Sequence, residues 1–315
     1  MTATTPLDWS TEQVNPDSID LDTRDSQAVV QTILAGDAGV AAAVQAVAPA
    51  ITEAVDLVVA ALSTGGRVHY VGSGTSGRMG VLDAVELLPT YSVGEDRFVP
   101  HLAGGPGAMM QAVEGAEDDA EAGARAVAEA GADDVVIGLA ASGRTPYVRG
   151  ALAAARDRGL STVLIAANPK APLAAYAEVA ILVDTGPEVI TGSTRMKAAT
   201  AQKLVLNTLS TAAMVRLGKV YSNLMIDMLP TNEKLRARSL RMLVQGSGEP
   251  VERCAEVLAA ADGDVRLALT ALRSGCSVQA AAAVLDELPP AADRAGDPTG
   301  IRTAVARLRD RGKRP

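Results

Sequence analysis

Val71-Gly72-Ser73-Gly74-Thr75-Ser76-Gly77-Arg78 stands where a short apolar run, residues 67–71, gives way to a helical pattern over residues 76–88. Glycines let the backbone turn sharply and approach a ligand closely. A helix that starts in such a turn presents free N–H groups and the positive end of its dipole to an anion. Gly72, Gly74 and Gly77 match the dinucleotide fingerprint G-x-G-x-x-G, which alone is not specific. That fingerprint also wants an acidic residue after the second strand. Here residues 98–102 run into Ala103-Gly104-Gly105-Pro106, with no acid. The turn instead carries three hydroxyls, Ser73, Thr75 and Ser76, which suit direct hydrogen bonding to a phosphate monoester.

Outward from this turn, short apolar runs alternate with helical stretches, as in a parallel sheet covered by helices on both faces. Strands are expected at residues 67–71, 98–102, 134–139, 161–166 and 179–183, and helices at 76–88, 107–130, 146–158, 172–177 and 193–217. The expected fold is α/β, a doubly wound parallel five-stranded sheet. Before it come a polar arm to Asp25 and two helices, 25–34 and 40–62, the second with a possible kink at Pro49. After it come a helix at 229–244, a small appendage of three helices (251–261, 265–273, 277–288), and a basic tail with a short helix at 301–309. The domain boundaries read as 1–62 for the arm and N-terminal helices, 63–228 for the sheet domain, and 229–315 for the helical region, its appendage at about 247–288.

Composition narrows the function. Of 315 residues, 48% are hydrophobic and 21% charged, which excludes a disordered or fibrous chain. Lys+Arg is 29 and Asp+Glu 37, so the net charge is 29 − 37 = −8, which argues against nucleic acid or anionic membrane as a partner. Aromatics are only 2%, so stacking platforms for single strands are absent and the core must be built from small aliphatic side chains. No apolar run approaches the roughly 18 residues of a membrane span, and Met1 to Ser10 has neither the basic start nor the apolar core of a signal peptide. Cys254 and Cys276 form no disulfide framework and no Cys/His cluster suggests zinc, so a cytoplasmic protein without metal is expected. His69 and His101 lie in separate strand-like runs and read as packing residues.

Two further segments repeat the hydroxyl chemistry. Residues 134–139 open into Ala140-Ala141-Ser142-Gly143-Arg144-Thr145-Pro146, where Pro146 fits the first helical position and Thr145 either caps that helix or meets a ligand. Thr191-Gly192-Ser193-Thr194-Arg195-Met196-Lys197 precedes the longest helix and reads either as an ordinary capped start or as a third binding loop. In open α/β sheets, ligands bind outside the carboxyl ends of the strands. The candidate phosphate- and sugar-binding residues are therefore Ser73, Gly74, Thr75, Ser76, Ser142, Gly143, Arg144, Thr145, Ser193, Thr194 and Lys197.

Together these loops resemble the SIS (sugar isomerase) domain, which binds phosphosugars through Ser/Thr-rich turns. Longer motifs resemble one SIS family, the N-acetylmuramic acid 6-phosphate etherases. They are Gly72-Ser-Gly-Thr-Ser-Gly-Arg-Met-Gly-Val-Leu-Asp-Ala-Val-Glu86, Ala112-Val-Glu-Gly-Ala-Glu-Asp118, Ala140-Ala-Ser-Gly-Arg-Thr-Pro-Tyr147, Thr191-Gly-Ser-Thr-Arg-Met-Lys197 and Thr231-Asn-Glu-Lys-Leu235. The likeness extends from Thr11-Glu12 and Asn15 to the helical appendage; Leu87-Leu88 replaces a more usual Cys-Pro, and residues 94–98 are charged.

The resemblance implies cleavage of the D-lactyl ether to N-acetylglucosamine 6-phosphate and D-lactate, with no cofactor. It implies that Glu86 protonates the departing lactate and that Glu117 is the carbon-2 base. One carboxyl must then be protonated near neutral pH, which burial or charge pairing would bring about. Without the resemblance, Glu86 reads as a helix-surface carboxylate and Glu117 as part of a solvated acidic run. Glu86 would lie about 15 Å along a helix starting at Ser76, so a bend, a later start or a second subunit is called for; SIS domains commonly dimerise, and a homodimer is expected. The alternatives are a phosphosugar aldose–ketose isomerase and a noncatalytic phosphosugar-sensing protein like the glucokinase regulatory protein, which carries tandem SIS domains. A sugar-responsive transcription regulator would need a basic recognition helix that the arm does not supply.

Overall fold

Five short strands buried in mid-chain organise one of two compact units in the computed structural model, which describes residues 9–228, 233–294 and 296–311. The elements run α1 (Ser26–Asp37), α2 (Val40–Ala46), α3 (Ala48–Ser63), β1 (Val68–Gly72), α4 (Gly74–Tyr91), β2 (Phe98–Leu102), α5 (Ala120–Ala126), β3 (Val135–Leu139), α6 (Pro146–Asp157), β4 (Ser161–Ala166), β5 (Val179–Leu182) and α7 (Lys197–Arg216). There follow a hairpin, β6 (Val220–Tyr221) and β7 (Leu224–Met225), and the helices α8 (Glu233–Ser247), α9 (Val251–Ala260), α10 (Val265–Ser274), α11 (Val278–Asp286) and α12 (Ile301–Arg311). One unit holds the residues up to Val85 with Glu95–Ser210; the other holds Glu86–Gly94 and the chain from Thr211. The division does not follow the 62/63 and 228/229 boundaries read from composition.

The five strands form an all-parallel sheet in the order β2-β1-β3-β4-β5. Strands β1 and β3 are buried at every position, as the central strands of a parallel sheet covered on both faces must be. The chain starts at β1, turns outward to β2, then crosses back to β3. Its direction thus reverses between β1 and β3, and the carboxyl ends of that pair frame the crevice where such sheets bind ligands. Gly72 and Gly77 make the exit from β1 possible. A Cβ on Gly72 would lie 2.7 Å from Gly77 Cα, and one on Gly77 would lie 2.6 Å from Gly72 O.

Two buried polar clusters pin this unit. Asp83 on α4 accepts from Tyr70 Oη of β1 (2.9 Å) and Ser210 Oγ of α7 (3.1 Å). Burial raises both the Asp83 and Tyr70 pKa values. Across the sheet, Asp134 Oδ2 lies 2.9 Å from His69 Nε2, and His69 Nδ1 lies 2.9 Å from His101 Nε2. Burial works against the Asp134 charge. Donors from His69, Gly131 N–H and Arg67 N–H together outweigh it and hold the carboxyl at about 2. Burial pushes His101 down to about 4, with the His69 and Arg67 charges adding, and lowers His69 as well. An ionised Asp134 only accepts, so neutral His69 donates from Nε2 and accepts at Nδ1, and His101 donates from Nε2.

Several expectations need correction. The helix expected over residues 107–130 is broken into 3-10 turns at Pro106–Met109 and Ala116–Asp118, with only Ala120–Ala126 α-helical. Gly115 adopts φ 73° and Asp119 caps α5 through Ala122 N–H at 2.7 Å, so a glycine and a cap overrule the run of helix formers. The helix expected over 40–62 is two helices meeting at Val47, with Pro49 in the first turn of the second, where no N–H is missed. From Trp9 on, the arm is a string of 3-10 turns rather than extended chain. Thr11 is buried, Asn15 Nδ2 donates to Pro187 O (3.4 Å), and Ser18 Oγ donates to Val189 O (2.7 Å).

By length and composition the stretch Ser26–Ala46 would also suit a bilayer span, contrary to the expectation that none approaches it. Gln27, Gln31, Asp37 and Gln45 interrupt it, and α1 ends before α2 begins. In the second unit, Cys254, Leu243, Leu269, Val284 and Ile301 share one core with the hairpin residue Tyr221. Helix α12 is thus part of this core rather than a loose tail, and α9, α10 and α11 stand where the three helices of the appendage were expected.

Candidate functional site

The β1 and β3 exits lie side by side, because Gly72 pairs with Leu139 at the ends of the two strands. Helix α4 begins at Gly74, and its first α-helical backbone bond is Gly77 N–H to Ser73 O at 3.0 Å. The N–H groups of the preceding turn therefore have no intrahelical partner, and they belong to the hydroxyl-bearing residues Thr75 and Ser76. Ser76 is buried, whereas Ser73 and Thr75 are partly exposed.

A cavity of about 330 Å³ opens at this turn. Ser73, Gly74 and Arg78 line it together with Glu114, Gly115 and Glu117. A left-handed turn at Gly115 breaks the expected helix here and places Glu114 and Glu117 in the irregular chain that lines the cavity. Arg78 ties the lining together, donating from Nε and Nη2 to Ala108 O at 3.0 and 2.8 Å. Sequence reasoning quoted Arg78 and Glu114 but gave them no role; their place beside two candidate residues in the same motifs was the available signal.

Glu86 does not line this cavity. It is exposed on α4, twelve residues beyond Gly74, about 18 Å along the axis at 1.5 Å per residue. The helix begins earlier than expected and continues through Glu86, so no late start shortens that distance. Glu117 is also exposed in the single chain.

The second turn is held from below. Asn168 Nδ2 donates to Ser142 O at 2.9 Å, and Gly143 adopts φ 68°. Thr145 sits at the start of α6 but its side chain makes no capping bond, which leaves its hydroxyl free of that duty. Arg144 lies under the arm: its guanidinium carbon is 3.8 Å from the Trp9 ring centroid. Arg144 Nε, Trp9 Nε1, Ser10 Oγ, Thr11 Oγ1 and Thr185 Oγ1 are buried without hydrogen-bond partners. Such atoms cost about 1–3 kcal/mol each unless something meets them.

The third segment is arranged differently from the first. Helix α7 starts at Lys197, and the fully buried Glu188 carboxylate takes its first donors, Lys197 N–H (3.0 Å) and Ala198 N–H (2.9 Å). Lys197 is itself buried, with Nζ donating to Thr185 O at 2.7 Å. An internal carboxylate thus occupies the anion position of this helix end. Ser193 and Thr194, both partly exposed, precede it in the turn. Of the last motif, Thr231 and Asn232 lie outside the described residues, and Glu233–Leu235 open α8. Among the described residues no group of three His, Cys, Asp or Glu side chains is placed to hold a metal ion.

Two family models match the chain: the glucokinase regulatory protein N-terminal SIS domain over residues 50–156 and the SIS domain over residues 109–212. The N-acetylmuramic acid 6-phosphate etherase of Deinococcus radiodurans is 51% identical over 278 residues, covering 88% of this chain and 91% of that protein. The etherases of Thermobifida fusca and Mycolicibacterium smegmatis are each 52% identical, over 83% and 85% of this chain and 86% and 88% of their own lengths.

Proposed function

Because the chain belongs to the N-acetylmuramic acid 6-phosphate etherase family, it is an enzyme of amino-sugar recycling, and we propose that it cleaves the D-lactyl ether by elimination followed by addition of water. The products are N-acetylglucosamine 6-phosphate and D-lactate. An alkyl ether resists direct displacement. Once the sugar ring opens, the proton on carbon 2 lies beside an aldehyde and can be removed, and the lactyl oxygen on carbon 3 becomes a β leaving group. One protein group takes the first proton and another protonates the leaving oxygen. Water then adds to carbon 3 of the unsaturated aldehyde.

The observation that carries this reading is the shared cavity of Ser73 and Glu117. A phosphate held by the hydroxyls and free N–H groups at the start of α4 leaves the sugar in the cavity that the Glu117 carboxylate also lines. In this reading Glu117 is the carbon-2 base. The binding set is Ser73 to Ser76, Ser142 to Thr145, and Ser193, Thr194 and Lys197, the last acting from its buried place beside Thr185 rather than by direct contact.

Glu86 is the acid, and the reading requires a homodimer. Leu82, Val85 and Pro89 share the face of α4 that carries Glu86, and all are exposed in the single chain. A second copy laid over this face would take Glu86 out of water, and burial favours the uncharged carboxyl that a proton donor needs. Residues 26–52 carry a single charge, Asp37, although no residue of α1 is buried, a second surface suited to a partner copy. The reaction belongs in the cytoplasm, in keeping with two free thiols, Cys254 and Cys276.

The test is incubation with N-acetylmuramic acid 6-phosphate in ¹⁸O-water. One D-lactate per sugar, with the label on carbon 3 of the sugar and none in lactate, is expected. Labelled lactate would mean displacement at the lactyl carbon, and ketose formation without lactate would mean an isomerase; either result overturns the reading. A sedimenting species of one chain's mass at catalytic concentrations would overturn the dimer.

A further inference from the structure

The hairpin β6–β7 and helices α8, α10 and α12 enclose a second polar cavity, of about 470 Å³, wholly within the helical unit. Its floor is Tyr221. Two guanidiniums converge on that ring, the Arg302 carbon at 4.8 Å from the centroid and the Arg273 carbon at 5.5 Å. One such contact is an ordinary way to seat an arginine on an aromatic face. Two like charges on one ring repel, and among the described residues no carboxylate lines the cavity to balance them.

The surroundings add to the positive potential. Arg302 is the second residue of α12, in the first turn, where the helix dipole is positive and a cation is disfavoured. The acid before that helix, Asp297, is engaged elsewhere: it accepts from Thr303 N–H at 2.7 Å and Thr299 Oγ1 at 3.2 Å. Arg273 uses one N–H to hold Gly246 O at 2.6 Å and keeps the rest of its fork. The Ser222 hydroxyl and the Asn223 and Gln245 amides complete the wall, and all three residues are exposed.

We propose that this cavity is an anion site for a phosphomonoester of a small polar alcohol, such as a sugar phosphate, separate from the cavity at Ser73. The number of donors selects the ligand class. Two arginine forks, a serine hydroxyl and two amides exceed what the two oxygens of a carboxylate accept, but match the three terminal oxygens of a phosphate and a hydroxylated body beyond it. The volume exceeds that of inorganic phosphate and falls in the range, roughly 300–1,000 Å³, of small-molecule sites.

Isothermal titration of the full chain with glucose 6-phosphate, at fixed ionic strength, tests the proposal. Two molecules should bind per chain. Arg302→Gln, at an exposed position, should melt at the wild-type temperature without ligand, yet weaken one of the two sites at least tenfold. Arg302→Lys, which keeps the charge and loses the fork, should fall between. Ser73→Ala should weaken the other site only, so loss of that reading and loss of this one register separately. Wild-type binding in Arg302→Gln, a single site abolished by Ser73→Ala, or equal displacement of the Arg302-dependent ligand by acetate would each overturn the assignment.

Discussion

Acidification to pH 5 should loosen the sheet through His101, and the size of the effect can be worked out. The ring's pKa is about 4 in the folded chain against an ordinary value of 6.5. A lowered value means that the folded state binds fewer protons, so the stabilisation is fully present above 6.5 and is lost as pH falls toward 4. At pH 7 the linkage is worth about 0.2 kcal/mol; at pH 5, RT ln[(1 + 10^1.5)/(1 + 10^−1)] is about 2 kcal/mol. His69, lowered by burial, acts in the same direction. Asp134, held at about 2, stays ionised at pH 5 and contributes its own loss only between about 3.8 and 2.

The perturbation that isolates His101 is His101→Gln, whose amide N–H can still donate to His69 Nδ1 but does not titrate. Urea unfolding followed by far-ultraviolet circular dichroism at pH 7 and pH 5 reads the difference. Wild type should lose about 2 kcal/mol more than the variant between the two pH values. Identical losses would show that His101 is not buried neutral against His69, and the reasoning about this cluster would be wrong.

Three further outcomes follow from particular contacts. Glu188→Gln weakens two charge-assisted bonds at the buried start of α7 and should cost about 1.5–3 kcal/mol in urea unfolding; an unchanged midpoint would mean the carboxylate is not needed there. Gly77→Ala puts a methyl group 2.6 Å from Gly72 O, so α4 must shift away from β1, at a cost of about 1–3 kcal/mol and with weaker phosphosugar binding; wild-type values of both would contradict the close approach. Trp9, the single tryptophan, stacks on Arg144, so its emission should change when a phosphosugar fills the turn at Ser142, and Arg144→Ala should abolish the change; constant emission at saturation would separate Arg144 from the site.

The sheet was legible because its central strands β1, β3 and β4 are almost wholly buried, and the turns that follow β1 and β3 are rich in glycine and hydroxyls. The β2 and β4 ranges match the expected ones residue for residue, β3 and β5 are each one residue shorter, and β1 is shifted by one residue. What was hidden depends on conformations that no run of side chains announces. A positive φ at Gly115 outweighed twelve alanines and glutamates over residues 112–130, and so turned the expected helix into the cavity lining that carries Glu117. Glu188 looked like one acid among many, yet its buried carboxylate takes the first N–H groups of α7, so that the third turn offers a ligand its Ser193 and Thr194 hydroxyls rather than its helix end. The Tyr221 hairpin was missed because two-residue strands carry too short an alternation to read.

A crystal structure of the chain with an unreactive muramic acid 6-phosphate analogue bound bears most directly on the proposed chemistry. The phosphate should lie against Ser73 and the N–H groups opening α4, with Ser142 beside it and carbon 2 turned toward Glu117. A phosphate seated away from these turns, or a sugar whose carbon 2 faces away from Glu117, would contradict the account.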